Sequence, residues 1–152
     1  MIDTSAVLPA PPATVWRLLT DWEHQDDWML EASDFVVTSP HREGVGVEAE
    51  ATIRIGGIST RDRVRVTAWE PEHRLVIEHL GWVSGAGDMR LTPTQGHGRA
   101  AGHTVLDWRE TLVAPRLLGP LGRIGLRGFA PLMRRVFERD LRVLVGLARA
   151  AH

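Results

Sequence analysis

The stretch VEAEATIRI, residues 47–55, alternates apolar and polar side chains at every step. Val47, Ala49, Ala51, Ile53 and Ile55 fall on one face, and Glu48, Glu50, Thr52 and Arg54 on the other. A period of two belongs to a strand with one buried and one wet face, and no helix satisfies it. The alternation returns in TRDRVRVTAW (60–69), and strand-like runs follow at RLVIEHL (74–80), DMRLTP (88–93) and HTVLDWRETLV (103–113). GGIS, EPEH, GWVSGAG and TQGHGRAAG separate these runs as turns and loops. The succession predicts an antiparallel sheet that turns one face to a core.

The two ends of the chain keep a different period. After a short strand at 2–9, APPATVWRLLTD (10–21) starts a helix, with its prolines in the first turn, where a missing N–H is harmless. Asp21 or Asp26 is placed to cap a second short helix running towards Glu31. From about Leu121 onward Phe129, Met133, Val136, Phe137, Leu141, Leu144 and Ala148 recur at helical spacing. Arg134, Arg135, Glu138, Arg139 and Arg142 take the opposite side, which makes a long amphipathic helix. The segment GPLGRIGLRG (119–128) has glycine at every third position, but no strand precedes it and no lysine follows. It therefore reads as a flexible segment at a pocket entrance and not as a phosphate loop.

Folding each hairpin about its turn pairs Glu50 with Arg65, Arg65 with Glu78, Glu78 with Arg90, and Arg90 with Asp107. Asp88 then meets Arg109. Opposite signs across neighbouring strands stabilise a solvated sheet face, and a slip of one residue would expose the apolar set. The same register turns two rows inward: Ala51, Val64, His79, Met89, Trp108, and beside it Ile53, Asp62, Gly81, Gly87, Glu110. Small residues on that face (Ala49, Ala51, Ala68 and two adjacent glycines) leave a hollow between sheet and helix.

Composition narrows the chemistry. The 152 residues suit a single domain, 1–152, with a net charge of −1 that attracts neither nucleic acid nor an anionic surface overall. There is no cysteine and no tyrosine, and all 18 basic residues are arginine. Thiolate chemistry, phenolic acids and lysine Schiff bases are excluded. The histidines (24, 41, 73, 79, 97, 103, 152) show no metal-ligand spacing, and His97 and His103 lie in a glycine-rich loop, so no metal or cofactor is expected. No apolar run reaches the roughly 18 residues of a membrane span, and no signal-like segment opens the chain, which predicts a cytoplasmic protein.

His79 stands inward among apolar neighbours, as a hydrogen-bonded core residue or as a neutral general base whose pKa desolvation lowers. Asp62 and Glu110 are the inward carboxylates beside it, as catalytic partners or as groups at the wet end of the sheet. Phe129, Met133 and Phe137 on the helix, with Met89 and Trp108 on the sheet, are candidate ligand walls or plain core. Trp16 packs the first helix on the sheet. Trp22 and Trp28 flank the acidic turn EHQDD, where they would line a cavity mouth.

The segments AVLPAPPATVWRLLTDWEHQDDW, VTAWEPEHRLVIEH, GHTVLDWRETLV and LGPLGRIGLRGFAPLMRR, in that order, resemble the START-like (polyketide cyclase/dehydrase, birch-pollen-allergen-like) superfamily. The resemblance implies an α+β helix-grip fold. A seven-stranded curved antiparallel sheet would grip a long C-terminal helix, with two short helices between strands 1 and 2. It implies binding of a hydrophobic or aromatic small molecule in an internal cavity by a monomer or homodimer. Two functions follow from the likeness: acid–base catalysis as a polyketide cyclase, aromatase or dehydratase, and non-catalytic carriage or sensing of lipid-like ligands. A protein-interaction module is a third. No catalytic signature travels with the fold, so the site must carry the argument.

Overall fold

The computed structural model describes residues 1–95 and 102–151. Most of the loop TQGHGRAAG, with His97, and the terminal His152 lie outside the described residues. Seven strands form one antiparallel sheet: β1 (Ile2–Leu8), β2 (Ala32–Val37), β3 (Glu48–Ile55), β4 (Ile58–Glu70), β5 (Arg74–Leu80), β6 (Ser84–Pro93) and β7 (Thr104–Val113). Their order across the sheet is β1-β7-β6-β5-β4-β3-β2. Helix α1 (Pro12–Thr20) and a 3-10 turn (Trp22–Asp27) lie between β1 and β2, and α2 (Gly119–Ala150) ends the fold. This is the α+β helix-grip architecture.

Outside a bulge in β4, the alternation assigns faces correctly because the register differs from expectation only by even numbers of residues. β4 and β5 pair Arg65 with Glu78, and β6 and β7 pair Arg90 with Asp107 and Asp88 with Arg109, as the charge pattern predicts. Between β3 and β4, however, Glu50 meets Arg63 and Arg65 meets Glu48. The turn is only Gly56-Gly57, both at positive φ, so the strands run closer to the hairpin tip than GGIS implies. β5 and β6 differ by four residues: Arg74 meets Arg90, and Leu80 meets Ser84 across a three-residue turn. GWVSGAG is therefore mostly strand, and Gly81 and Gly87 do not stand side by side. The outer face keeps its ion pairs with changed partners, such as Arg65 to Glu48 at 2.7 Å and Arg74 to Asp88 at 3.0 Å.

A bulge in β4 between Val66 and Ala68 breaks the alternation. Trp69, and not Ala68, consequently meets Leu75, and its ring packs edge-on against Trp16 at 5.2 Å. One inner filling residue is thus a tryptophan where the strict period promised an alanine. The core runs from α1 through Trp28, Met89 and Trp108 to Phe137, Leu141 and Leu144. Each large apolar side chain buried there contributes about 1.5–3 kcal/mol.

Two local expectations are corrected. Asp21 caps nothing; its carboxylate holds His24 at 2.9 Å, while Gln25 ties the turn to α1 through Leu19 O at 2.8 Å. The segment 119–128 is not a flexible loop but the first turns of α2. Gly122 is required there, because a Cβ would lie 2.8 Å from Leu118 Cβ and 2.9 Å from Ala114 Cβ. Pro120 suits a first turn, and Pro131 removes one rung further on, where α2 passes from exposed to buried.

Candidate functional site

His79 is the centre of a polar cluster on the inner face of the sheet. On β5, its Nδ1 lies 2.8 Å from Asp62 Oδ2 on β4, and its Nε2 lies 2.6 Å from Glu110 Oε1 on β7. The second Glu110 oxygen accepts the indole N–H of Trp108 at 2.9 Å. Four strands thus contribute or flank the group, and Glu110 is buried while Asp62 and His79 keep 17% and 23% of their side-chain surface.

Two glycines make the cluster possible. A Cβ at Gly81 would collide with the Asp62 carboxylate, and one at Gly87 would lie 2.7 Å from Glu110 Oε2 and 3.3 Å from Trp108 Nε1. Each glycine is the hollow into which one carboxylate folds. Sequence periodicity shows these glycines inward, but the hollows depend on neighbouring strands.

Electrostatics reverses one expectation. Burial alone would hold His79 neutral, but hydrogen bonds to Asp62 and Glu110, reinforced by their charges, push its pKa up to about 10. The imidazole is a cation at neutral pH, with both N–H groups donating to carboxylates, and not the neutral base that desolvation predicts. Desolvation acts, but two anions within hydrogen-bond distance outweigh it.

The candidate wall residues divide. Trp108 lies 4.6 Å from Phe137 and 6.0 Å from Trp28 between ring centroids, and Met89 is buried in register with Trp108. Phe129 and Met133 reach a separate half-open pocket of about 220 Å³, lined also by Ile2, Leu112 and Ala130 and by the arginines Arg123 and Arg127. That pocket adjoins the cluster: Ile2 is paired with Glu110, and Leu112 shares a row with Gly85 and His79. None of His79, Asp62 and Glu110 lines it. Trp22 does not reach a mouth; it is buried against Phe35, and its N–H is spent on Arg42 O at 2.8 Å. Trp28 is buried too, although among the described residues its indole N–H has no partner.

A second polar cluster escaped the sequence reading. Arg139 Nη2 lies 3.3 Å from both Glu31 Oε2 and Asp140 Oδ1, and Asp140 Oδ1 also accepts the Leu30 N–H. Burial, then the neighbouring Asp140, raises the Glu31 pKa to about 8, and burial raises that of Asp140. Asp140 falls on the apolar stripe of α2, between Phe137 and Leu144, and an acid in that stripe is the signal available in the sequence.

Among the described residues no helix is long and apolar enough to cross a membrane. Residues 1–149 match the family model for polyketide cyclase / dehydrase and lipid transport. The uncharacterized protein Rv1546 of Mycobacterium tuberculosis is 26% identical over 126 residues, covering 83% of this chain and 85% of that protein. Among solved structures, TTHA0849 from Thermus thermophilus has a TM-score of 0.72 at 24% identity, covering 99% of this chain and 97% of that one. The Zhui aromatase/cyclase from Streptomyces sp. R1128 has a TM-score of 0.72 at 19% identity, covering 97% and 92%. A START superfamily protein from Mycobacterium smegmatis has a TM-score of 0.71 at 14% identity, covering 99% and 98%. These structural likenesses show the fold, while the family match runs through nearly every residue described above. The chain belongs to the polyketide cyclase / dehydrase and lipid transport family.

Proposed function

We propose that this protein binds a hydrophobic or aromatic carbonyl compound between the sheet and α2, and that His79, Asp62 and Glu110 act on it by acid–base chemistry. The observation that carries the proposal is the bracketed histidine: an imidazole held at 2.8 and 2.6 Å between two carboxylates, each seated in a glycine hollow. Glu110, buried and held by Trp108, orients His79. Asp62, the more exposed carboxylate, is the exchangeable partner. A ligand carbonyl oxygen that takes over the Nδ1–H frees Asp62 as a base. Asp62 then accepts a proton alpha to the carbonyl, the C–H electron pair becomes the new C=C bond, and the carbonyl π pair moves onto the oxygen that His79 stabilises. The resulting enolate is the nucleophile of an aldol cyclisation. Trp28, Met89, Trp108 and Phe137 would hold the apolar body, with Phe129 and Met133 at the open side. Trp22 supplies core packing.

The second reading, a carrier without catalysis, is favoured by the pocket of about 220 Å³, whose lining includes none of the three polar residues. An exchange experiment separates the two. An aryl 1,3-diketone in D2O is expected to bind and to exchange its alpha protons faster with the wild type. Asp62→Asn and His79→Gln should abolish the acceleration. Binding without acceleration leaves the carrier, and no binding of apolar ligands defeats both readings.

A further inference from the structure

Among the described residues, several exposed large apolar side chains gather at one end of the sheet. Trp82, on the β5–β6 turn, is 67% exposed, and Ile58 follows the β3–β4 turn at the same end. β7 ends there at Val113, paired with Ser84, and the chain continues into a 3-10 turn (Arg116–Leu118) and the exposed half of α2. Leu117 in that turn is 97% exposed, and beyond Gly119, at positive φ, Leu121 and Ile124 are exposed on the first turns of α2. No acidic residue occurs between Glu110 and Glu138, whereas Arg116, Arg123, Arg127, Arg134 and Arg135 do. Arg61, Arg65, Arg74 and Arg109 of the sheet face are paired with carboxylates, but among the described residues Arg116, Arg123 and Arg127 have no carboxylate partner. The net charge of −1 conceals this local cationic surface.

We infer that this end of the molecule docks on an anionic lipid bilayer. Apolar side chains flanked by unpaired arginines, with an exposed tryptophan at the rim, match the chemistry of a lipid–water interface. A second copy of the chain is disfavoured, because it would set arginine against arginine. Arg123 and Arg127 also line the half-open pocket beside Phe129, Ala130 and Met133, so docking through these arginines would set the pocket next to the lipid. The inference deepens the ligand-binding reading by naming the surface from which an apolar ligand would enter. Its own footing is the exposed apolar surface.

The test is sedimentation of the full chain with vesicles of phosphatidylcholine containing phosphatidylglycerol, against phosphatidylcholine alone. Binding is expected only to the anionic vesicles and is expected to fall about tenfold or more in high salt. Leu117→Glu with Leu121→Glu, at exposed positions that leave the fold intact by circular dichroism, should weaken it about tenfold or more. Vesicles with brominated chains should quench the wild type more than Trp82→Phe. Equal binding to neutral vesicles, binding indifferent to the Leu variants, or a concentration-dependent dimer that those variants dissolve would overturn the inference. Diketone binding in lipid-free buffer tests the pocket separately.

Discussion

Two buried clusters in this molecule use the same ingredients, a pair of carboxylates and one cation, and reach opposite electrostatic ends. Around His79 the carboxylates come from β4 and β7 and approach the imidazole from opposite sides, so the cation persists and its pKa rises to about 10. Around Arg139 the carboxylates of Glu31 and Asp140 face each other, the arginine reaches both only at 3.3 Å, and Glu31 keeps its proton up to a pKa of about 8. A cation between two acids stabilises charge; two acids side by side with a cation at the edge expel it. The first cluster leaves Asp62 and His79 partly exposed, which on our proposal lets a ligand replace a partner. Asp140 is fully buried, and the second cluster fastens α2 to the chain ahead of β2 through Leu30.

Removing the cation from the first cluster should have the largest effect. His79→Ala leaves Glu110 and Asp62 uncompensated and is expected to cost about 3 kcal/mol in urea unfolding at neutral pH, the lower end of the range for breaking a buried pair, because Asp62 keeps some water. Adding Glu110→Gln should restore part of the loss. If the double variant is less stable than the single one, the carboxylates are not what makes the histidine necessary. Gly87→Ala fills the Glu110 hollow, and its strain should cost about 1–3 kcal/mol while lowering the His79 pKa. An unchanged titration of His79 in that variant would show that Glu110 does not govern it.

The smallest effect at acid pH belongs to Glu31→Gln, which mimics a carboxyl that is already protonated. At pH 5 its stability should lie within about 1 kcal/mol of the wild type. The raised folded pKa of Glu31 means that its contribution is present at low pH and is lost as pH rises from the ordinary value of 4.5 to about 8. His79 contributes below 6.5 and loses it towards about 10. Each group alone would tilt the stability profile by up to about 1.4 kcal/mol per pH unit within its window. Glu31→Gln should remove the lower slope and leave the upper one. A profile unchanged between pH 5 and 8 would contradict the assignment.

Much of the first cluster was legible in the sequence, and little of the second. Parity alone turns His79, Asp62 and Glu110 to one face, and it survives register differences of two and four residues. What parity cannot show is reach. That His79 touches both carboxylates depends on Gly81 and Gly87 admitting them, and the direction of its pKa depends on that reach. Trp69 was hidden by a bulge, which inserts a residue without any change in composition. Glu31 lies in a connection without periodicity, so nothing local announces its contact with a helix more than a hundred residues away. The helical glycines of 119–128 misled for the opposite reason: their intrinsic preference favours a loop, and the surrounding context prevails.

The most direct test of the central claim is the titration of His79 by nitrogen-detected NMR, assigned against His79→Gln. Bracketing by Asp62 and Glu110 predicts an imidazolium protonated at both nitrogens through pH 8, titrating near 10. A single neutral tautomer at pH 7, or a titration at or below the ordinary value of 6.5, would contradict the account.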